Sequence, residues 1–574
     1  MSSIFSRSKW SLKCLKISIR SPPKICWLVL LASLHPDRKE GDSLSSLNSS
    51  LLWNKIHFGL VREDNSREAN TTQKQLNLVK GPSSVTSPGN EQQVLYTPVG
   101  ARLSEFWSQW QSRGAEPWIV QVLKEGYEIP FLNSLPLVNS PINLSAYSEG
   151  SEKFRALQVE VNQMLQKKAI VKMDNHQAEG FYNRLFVVEK VSGGWRPVLD
   201  VSALNKYVLK TKFSMETPRT VIASLRPGDW MVSLDMQDAY FHIPIHQASQ
   251  KYLRFVFQDQ VYQFRSLPFG LCTAPQVFTR VLAPLAKWLH LMDINICLYL
   301  DDWLLRSTSK EQCVEDRDKT LRLAQELGLL INKNKSQLDP SQQRTYLGMT
   351  LDALTFRVFP SIKRVDSCLH LVQSFTQMDS CSVRDWMKLL GTLTSMEMFV
   401  SLGRLHLRVF QFYLKALWSR KTETEDVVIP ISAEIKEDLK WWMVRERLLE
   451  GLDPRPQNPD LDFFADASDV GWGAHVESQE TSGKWSQQML PSHINVKELK
   501  AVFLGLKEFL SSVQGKTVLV HSDNSTALAY IKKQGGTHSF SLYQAARELL
   551  LWANHHKITL LTRFIPGKLN IRAD

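Results

Sequence analysis

Residues 294–305 read INICLYLDDWLL, and this stretch decides the fold. An apolar segment runs into two adjacent acids, Asp301 and Asp302, and continues at once into a second apolar segment. Two apolar runs around a short polar pair predict two strands joined by a tight turn. Acidic residues are common at the tips of turns, so one interpretation is a hairpin whose carboxylates are simply solvated.

A second segment favours another interpretation. Residues 231–240 read MVSLDMQDAY, so a second buried-type strand ends in an acid, Asp235. If the two strands run parallel, Asp235 and Asp301 lie side by side. Neighbouring carboxylates repel each other unless divalent cations neutralise them, and Mg²⁺ prefers oxygen ligands. Two such ions can clamp the attacking and leaving oxygens of a phosphoryl transfer, so the acids predict a two-metal site.

Several ordered motifs in this part of the chain resemble those of reverse transcriptases. Residues 299–302 (YLDD) are similar to the family's Tyr-x-Asp-Asp box, and 234–240 (LDMQDAY) are similar to its first acidic motif. The others resemble the fingers hairpin, the floor under the incoming nucleotide and the motifs that close the palm: 186–190 (FVVEK), 195–200 (WRPVLD), Leu204-Asn205, 267–278 (LPFGLCTAPQVF), 328–332 (GLLIN) with Lys335, and 346–348 (YLG). The resemblance implies a reverse transcriptase palm and fingers.

The resemblance also implies roles for the acids. Asp235 and Asp301 are expected to bind two Mg²⁺ ions, which Mn²⁺ can replace, with help from the backbone carbonyl of Met236. Asp302 is expected to support the site more weakly. Tyr240 stands five residues after Asp235, where the family places a ring that excludes the 2′-hydroxyl and so selects deoxynucleotides. The alternative for Tyr240 is an ordinary core aromatic residue.

Further residues match the positions that contact the nucleotide in the family. Lys190 and Arg196 match the fingers cations that hold the triphosphate, a use that suits fixed positive charge. Phe269 and Gly270 are expected to line the nucleotide floor, where glycine permits close backbone approach. Lys335 is a candidate proton donor to pyrophosphate. For the three cations the alternative is a solvated surface charge.

The C-terminal stretch contains a second ordered set of acids. Asp466 and Asp523 each end a predicted strand, Glu498 lies on a predicted helix, and Asp574 is the final residue. The set resembles the four carboxylates that hold two Mg²⁺ ions in the ribonuclease H fold. The resemblance implies cleavage of RNA in RNA–DNA hybrids, which proteins read by shape and 2′-hydroxyl contacts. Because the sequence stops at Asp574, we expect a domain truncated at its C-terminus and weak nuclease activity.

Composition bounds the remaining possibilities. The 574 residues are 43% apolar and 22% charged, which predicts several globular domains and excludes a wholly disordered protein. A net charge of +12 permits a polyanionic partner, and seven cysteines without a C-x-x-C pair argue against a disulfide framework or a zinc ribbon. The most apolar run, residues 25–34, is too short to span a membrane. We therefore expect an intracellular protein, in the cytoplasm, the nucleus or both, that is not secreted and has no membrane partner.

The predicted fold class is α+β multidomain. It comprises a right-hand polymerase with fingers, palm and helical thumb or connection, followed by an α/β ribonuclease H-like domain. The predicted boundaries are a disordered N-terminal region 1–95, a small helical and extended lead-in 96–150, fingers and palm 151–352, a helical thumb or connection 353–453, a linker 454–460 and the ribonuclease H-like domain 461–574. Within them, Arg184–Lys190 and Trp195–Leu199 predict a hairpin, and Arg344–Leu351 predicts one strand.

Other motifs resemble one group of retroelements, the DIRS group of tyrosine-recombinase retrotransposons. They are 100–107 (GARLSEFW), 494–499 (INVKEL) and 535–539 (GGTHS). Such an element joins reverse transcriptase to ribonuclease H and encodes a tyrosine recombinase, so the chain is interpreted as a polyprotein fragment. The expected partners are an RNA template, a DNA primer, RNA–DNA hybrid and deoxynucleoside triphosphates, with a recombinase outside this chain as a further candidate.

Two functions from different classes remain open on these grounds. The first is an active RNA-directed DNA polymerase with an attached ribonuclease H, which copies retrotransposon RNA into DNA. The second is a non-catalytic nucleic-acid-binding remnant of a retroelement. The acids of both sets are intact, which favours the first.

Overall fold

The structure is a computed structural model that describes residues 97–138, 142–144, 147–173, 179–189 and 193–570. The described residues belong to one compact unit of the chain. The predicted region 1–95 and the site residues Lys190 and Asp574 lie outside the described residues. None of the described helices is both long enough and apolar enough to cross a membrane.

The described part mixes helices with several sheets, which confirms the predicted α+β multidomain class. The strands are β1 (Ile170–Lys172), β2 (Arg184–Glu189), β3 (Trp195–Asp200), β4 (Trp230–Asp235), β5 (Arg254–Phe257), β6 (Gln260–Phe264), β7 (Asn295–Tyr299), β8 (Asp302–Ser307), β9 (Gln337–Ser341), β10 (Gln343–Tyr346), β11 (Met349–Asp352), β12 (Arg357–Pro360), β13 (Ser380–Ser382), β14 (Val428–Pro430), β15 (Leu461–Ala467), β16 (Gly471–Val476), β17 (Gln479–Lys484), β18 (Thr517–Ser522) and β19 (Thr559–Phe564).

The α-helices alternate with these strands along the chain. They are α1 (Trp107–Ser112), α2 (Pro117–Glu125), α3 (Glu152–Gln166), α4 (Pro218–Ser224), α5 (Gln247–Gln250), α6 (Ala274–Leu291), α7 (Lys310–Glu326), α8 (Ile362–Gln377), α9 (Val383–Met396), α10 (Gly403–Leu417), α11 (Ala433–Lys440), α12 (Arg445–Leu448), α13 (Ile494–Glu508), α14 (Leu510–Val513), α15 (Ser525–Lys532) and α16 (Phe540–His555).

The central sheet has the strand order β7-β8-β4-β9, and each neighbouring pair is antiparallel. Strands β4 and β7 therefore run in the same direction, as the two apolar segments predict, but β8 lies between them. The sequence pattern did not predict this intervening strand. Across the β4–β8 pair, Asp235 lies opposite Asp302 and not opposite Asp301.

The central sheet separates two hydrophobic cores. Val232, Trp303 and Leu305 point into the first core, whereas Met231 and Leu304 point into the second. Because both faces of β8 are buried, its residues can be apolar at successive positions instead of alternating with polar ones. This burial explains why residues 303–305, directly after the two acids, are apolar at successive positions.

The lead-in before α3 belongs to the first core. Leu103 and Trp110 are fully buried there, and the Trp110 indole donates a hydrogen bond to the carbonyl of Leu327 at 3.0 Å. Gly100 approaches the backbone of Lys168 so closely that a Cβ atom would lie 2.2 Å from it. The residues from 97 onward are thus packed into the same core as the central sheet.

Two further hairpins lie in this half of the chain; one was predicted as a hairpin and the other as a single strand. Strands β2 and β3 pair antiparallel, which confirms the hairpin around residues 193–194. The single strand predicted for Arg344–Leu351 is wrong, since β10 and β11 form a hairpin there. Its two turn residues, Leu347 and Gly348, have φ angles of 48° and 71°, and two positive φ angles are typical of the tight turns that join antiparallel strands. Strand β12 completes this sheet.

The C-terminal part forms a five-stranded mixed sheet with the order β17-β16-β15-β18-β19. Strands β15, β18 and β19 are parallel neighbours, and β16 and β17 are added antiparallel at one side. A third hydrophobic core lies between this sheet and its helices, where Gly505 of α13 lies directly against Phe463 of β15.

Helix α10 belongs to two cores at once. Leu407 and Phe410 pack in the second core, whereas Leu405 packs in the third and Phe412 contacts the ring of Phe540 at 5.4 Å. The amide of Leu405 donates to the side-chain oxygen of Gln534 at 3.3 Å. The helix therefore joins the C-terminal sheet to the helical region before it.

Candidate active sites

The first group of acids, which we call the central acidic site, consists of Asp235, Asp301 and Asp302. Asp235 ends β4, Asp301 lies in the two-residue turn between β7 and β8, and Asp302 begins β8. The backbone amide of Met236 donates to the carbonyl of Asp301 at 2.9 Å. The end of β4 is thus bonded directly to the turn that presents the other two acids.

Buried aromatic side chains fix that turn. Leu300 has a φ angle of 53°, a left-handed conformation that is unfavourable for a residue with a large side chain. The indole of Trp303 donates to the carbonyl of Leu300 at 3.2 Å, and the hydroxyl of Tyr346 donates to the carbonyl of Asp302 at 2.8 Å. Both rings are buried, so the acidic turn has a rigid support on its inner side.

The end of β4 is fixed from a second direction. The amide of Asp235 donates to the hydroxyl oxygen of Ser336 at 3.0 Å, and the amide of Asn332 donates to the carbonyl of Asp235 at 2.7 Å. Ser336 in turn donates to the carbonyl of Asn332 at 2.8 Å. No sequence signal marked Ser336, because a serine next to a charged residue is typical of any surface turn.

Crowding of like charges determines the electrostatics of the central acidic site. Burial, together with the charges of Asp301 and Asp235, raises the pKa of Asp302 to about 6. Burial raises the pKa of Asp235 as well, and the ammonium group of Lys335 opposes both shifts. Carboxylates that resist ionisation in this way are stabilised by a nearby cation, and their oxygens suit Mg²⁺.

The three carboxylates do not form a closed cage. Among the described residues, they are not a group in which one oxygen from each lies within 4.8 Å of the others. A divalent cation at this site would therefore be coordinated by fewer than three of these carboxylates. It would complete its coordination with water, a backbone carbonyl such as that of Met236, or phosphate oxygens. Mg²⁺ commonly binds in this manner, with one or two carboxylates and substrate phosphates.

Two residues predicted for the nucleotide site touch each other. Tyr240 lies on a 3₁₀ helix, Ala239–His242, directly after β4, and its ring centroid lies 4.7 Å from that of Phe269. Phe278 of α6 packs edge-on against the other side of Tyr240. Burial raises the pKa of Tyr240, and the charge of Asp301 adds to this rise. Tyr240 is therefore both a packed ring and a neighbour of the central acidic site.

Gly270 has a different structural reason from the one predicted. Its φ angle is 104°, and a Cβ atom there would lie 2.7 Å from the carbonyl oxygen of Leu199, at the end of β3. The close approach is thus between two protein segments. Asn205 joins them, since its amide donates to the carbonyl of Gly270 and its oxygen accepts from the amide of Cys272, each at 2.9 Å.

The neighbouring predicted residues differ in exposure. Phe269, beside Gly270, is 41% exposed. Arg196 is an exposed residue of β3, opposite Val188 in the β2–β3 hairpin. Lys190 lies outside the described residues.

The second group, which we call the C-terminal acidic site, consists of Asp466, Glu498 and Asp523. Asp466 lies near the end of β15, Asp523 follows β18, and these strands are parallel neighbours whose carboxyl ends share one edge. Glu498 lies on α13. One ligand atom from each of the three residues lies within 4.8 Å of the others. Sequence analysis brought these acids together correctly; Asp574, the fourth predicted acid, lies outside the described residues.

The pKa of Glu498 is strongly raised. Its side chain is buried, and burial together with Asp466 and Asp523 raises the pKa of Glu498 to about 8. The hydroxyl of Ser522 donates to the Glu498 carboxylate at 3.4 Å and opposes the rise. Three acids at this distance, one of them protonated at neutral pH, form a donor set that fits a divalent cation.

Several residues around the C-terminal acidic site were missed by sequence analysis. The ammonium group of Lys497 is 2% exposed and donates to the backbone carbonyl of Asp469 at 3.1 Å, which fixes the turn after β15. Gly567 lies against Asp523, where a Cβ atom would come within 2.7 Å of the carboxylate. A groove of about 730 Å³ opens beside Asp466 and is lined by Trp472 of β16 and residues of β17.

Comparison with known proteins identifies the central part of the chain. Residues 188–351 match the family model described as "Reverse transcriptase (RNA-dependent DNA polymerase)". Residues 188–351 form a reverse transcriptase domain. The match begins in the β2–β3 hairpin and ends in β11, so it includes the whole central acidic site.

Proteins similar to this chain include viral and transposon polyproteins. The Gag-Pol polyprotein of Walleye dermal sarcoma virus is 30% identical over 171 residues, which are 29% of this chain and 10% of that polyprotein. The putative enzymatic polyprotein of Cassava vein mosaic virus is 24% identical over 72% of this chain and 63% of its own length. The Tf2-3 transposon polyprotein of Schizosaccharomyces pombe is 23% identical over 68% of this chain and 27% of its own length. The chain thus spans between a tenth and two thirds of these relatives.

Solved structures similar to the chain include the foamy viral protease-reverse transcriptase. In complex with RNA/DNA hybrid it is 16% identical, with a TM-score of 0.47, over 84% of this chain and 64% of that chain. In complex with dsDNA it is 17% identical, with a TM-score of 0.47, over 84% of this chain and 99% of that chain. These scores describe a distant likeness, and the reverse transcriptase domain is defined here by residues 188–351 alone.

The raised pKa of Glu498 predicts how stability depends on pH without metal. In the folded protein the pKa of Glu498 is about 8, against 4.5 as its ordinary value, so the folded state holds a proton that the unfolded state has lost between these pH values. The contribution of this proton to the free energy of unfolding is fully present below the ordinary pKa of 4.5. It is lost as the pH rises through the folded-state pKa of about 8. We expect Glu498→Gln to raise the melting temperature in chelator, by more at about pH 9 than at about pH 5.

The matched control is Glu508→Gln, an exposed position on the same helix. The control should change the melting temperature equally at both pH values, and saturating Mg²⁺ should reduce the advantage of Glu498→Gln because the ion stabilises the ionised carboxylate. A difference between Glu498→Gln and wild type that does not vary with pH would contradict the assigned pKa.

Proposed function

We propose that this chain is an RNA-directed DNA polymerase with an attached ribonuclease H, derived from a retrotransposon polyprotein. The observation that supports the polymerase most strongly is the arrangement of three aspartates at one edge of a reverse transcriptase domain, bonded through Met236 and supported by Trp303 and Tyr346. The proposed substrates are deoxynucleoside triphosphates, with a DNA primer on an RNA template.

In the proposed polymerase, Asp235 and Asp301 hold two Mg²⁺ ions, with the backbone carbonyl of Met236 as a further ligand. When bound, two such ions stabilise the attacking and leaving oxygens of an in-line phosphoryl transfer. Asp302, whose pKa is raised to about 6 by burial and by the charges of Asp301 and Asp235, adds a third carboxylate beside the proposed metal ligands. Lys335 lies on the same side and offers its ammonium proton to the departing pyrophosphate.

The nucleotide is proposed to lie beside the pair of rings formed by Tyr240 and Phe269. Tyr240 packs between Phe269 and Phe278, so its ring is held in place and can exclude a 2′-hydroxyl by steric contact. Phe269 and Gly270 form the floor, and Arg196 with Lys190 on the β2–β3 hairpin binds the triphosphate. Bidentate binding by guanidinium suits phosphate oxygens, which favours Arg196 as the stronger of the two cations.

The ribonuclease H activity is proposed from the C-terminal acidic site. Asp466 and Asp523 lie at the carboxyl ends of two parallel strands, and Glu498 of α13 lies close to both. Asp574 is the proposed fourth ligand. The groove beside Asp466 gives a substrate backbone access to these acids. Two Mg²⁺ ions held here would allow hydrolysis of the RNA strand of an RNA–DNA hybrid, and the substrate would be read by its shape.

The motifs GARLSEFW (100–107), INVKEL (494–499) and GGTHS (535–539) support an origin in a DIRS-like element. In such an element the DNA product would be integrated by a tyrosine recombinase that lies outside this chain. A non-catalytic nucleic-acid-binding remnant is the alternative, and the two proposals differ in a single assay. Purified protein, a primed RNA template, Mg²⁺ and deoxynucleotides should give full-length DNA only if the polymerase is active.

Asp301→Asn should abolish primer extension, by at least a hundredfold, while it leaves hybrid affinity within about twofold of wild type. The substitution removes a metal-binding charge, whereas affinity for nucleic acid depends mainly on basic residues that contact phosphate. Extension rates and a binding titration at fixed salt measure the two effects. Asp259→Asn, an exposed turn residue of the same domain, is the control. Retained extension in Asp301→Asn would remove the metal-ligand assignment.

Tyr240→Ala should admit ribonucleotides, because the space that the ring occupies becomes available to the 2′-hydroxyl. The measurement is the ratio of kcat/KM for a ribonucleotide to kcat/KM for the matching deoxynucleotide. We expect this ratio to rise at least tenfold. Tyr240→Phe keeps the ring and should leave the ratio unchanged. If Tyr240→Ala stays active with the wild-type ratio, Tyr240 is only a core aromatic residue.

Asp523→Asn should abolish cleavage of the RNA strand in an RNA–DNA hybrid and leave primer extension intact. Asp301→Asn should have the reverse effect, because the two acidic sites lie on separate sheets. A labelled hybrid, followed over a range of Mg²⁺ concentrations, reports cleavage, and a primed template reports extension. Loss of both activities in either variant would indicate that the two sites do not act separately.

A further inference from the structure

His242 is a buried residue that none of the proposed roles uses. It ends the 3₁₀ helix Ala239–His242, the same helix that carries Tyr240, and its side chain has no exposed surface. A buried imidazole requires partners for both ring nitrogens, since each unpaired polar atom would be costly there. His242 has such partners, and they belong to two different segments.

The two hydrogen bonds of His242 define its protonation. Its Nε2 atom lies 3.1 Å from the backbone amide of Leu330, which can only donate, so Nε2 accepts. Its Nδ1 atom lies 3.1 Å from the carbonyl of Ala239, which can only accept, so Nδ1 carries the hydrogen. The ring is thus neutral, and burial agrees with this because it lowers the pKa of His242 to about 4.

These hydrogen bonds help to connect three segments at the central acidic site: the end of β4, the 3₁₀ helix that carries Tyr240, and residues 330–332. The amide of Gln237 donates to the carbonyl of Leu330 at 2.9 Å, and the amide of Asn332 donates to the carbonyl of Asp235 at 2.7 Å. The segment 330–332 is therefore bonded to the end of β4, and through His242 it is bonded to the helix of Tyr240 as well. The only side chain in this set of bonds is the imidazole of His242.

The outer side of these connected segments is fixed by the lead-in. The guanidinium of Arg102 donates to the carbonyl of Gly328 at 2.9 Å, and the amide of Ala101 donates to the carbonyl of Phe241 at 2.7 Å. Because the lead-in holds both segments by these hydrogen bonds, they have little freedom to move when the imidazole is replaced. The replacement would instead alter the position of Tyr240 relative to Asp235.

We propose that His242 is a positioning residue that determines how strictly the site selects deoxynucleotides. It fixes the distance between the Tyr240 ring and the carboxylate of Asp235, and so the space left for the sugar. The proposal rests on the proposed polymerase function and on Tyr240 as the residue that excludes the 2′-hydroxyl. His242 contacts neither nucleotide nor metal, so its effect passes entirely through Tyr240.

Substitutions at His242 separate its hydrogen bonds from its volume. His242→Phe keeps a ring and removes both bonds, and we expect it to raise the ribonucleotide-to-deoxynucleotide ratio of kcat/KM by about three- to tenfold, as the loss of one or two buried hydrogen bonds would. His242→Gln can still offer an acceptor to Leu330 and should stay within about twofold of wild type. If His242→Phe fails to fold, His242→Asn, which keeps a donor near Ala239 and loses the acceptor, should show the same shift.

A double-mutant cycle with Tyr240→Ala identifies the route of the effect. If His242 acts through Tyr240, His242→Phe should not change the ratio further once Tyr240 is alanine, whereas independent effects would multiply. Melting temperatures distinguish a general loss of stability, which would lower kcat for both nucleotides and leave their ratio unchanged. A folded His242→Phe or His242→Asn with the wild-type ratio would overturn the proposal.

The same assays distinguish failure of the proposed polymerase function from failure of the inference about His242. If wild-type protein does not extend a primer, the polymerase function fails. If wild type extends and Tyr240→Ala leaves the ratio unchanged, the selection role of Tyr240 fails, and with it the route proposed for His242. If both behave as expected and only the His242 variants match wild type, the inference about His242 alone is wrong.

Discussion

Strand β8 is buried on both faces, and this burial determines where acidic residues can lie in the central sheet. Trp303 and Leu305 belong to one hydrophobic core and Leu304 belongs to the other, so a single strand holds both together. A strand in this position tolerates polar residues only at its ends. Asp301 and Asp302 are located at such an end, and a polar pair anywhere else in this strand would have to be buried at high cost.

The acidic sites also share one electrostatic problem. Each concentrates carboxylates at strand ends, where partial burial weakens hydration, and in each the protein supplies less positive charge than negative. The result is a raised pKa, about 6 for Asp302 and about 8 for Glu498. A metal ion bound at either site would compete with these protons, so any metal affinity would depend on pH. Lys335 reduces this imbalance only at the central acidic site.

Much of this arrangement was predictable from local sequence, and the remainder depends on contacts between distant residues. The hairpin of β7 and β8 follows from two apolar runs around Asp301, and the convergence of Asp466 with Asp523 follows from two strand ends of similar pattern. In contrast, the pairing of Asp235 with Asp302 depends on which strand is central, and strand order is not encoded in any single segment. The hydrogen bonds made by Ser336 and by His242 join residues 101 and 88 positions apart, and no local pattern marks such pairs. The turn at Leu347 was missed because leucine rarely adopts a positive φ angle.

The position of helix α10 in two cores has a consequence for dividing the protein into parts. A cut between residues 454 and 460 would leave α10 with the N-terminal piece and would remove side chains that pack against Leu405 and Phe412, such as Phe540 and Tyr543 of α16. That piece would then present an apolar stripe to water along an otherwise complete helix, and such stripes promote aggregation. The C-terminal part thus shields apolar side chains of α10 from water, whatever chemistry either part performs.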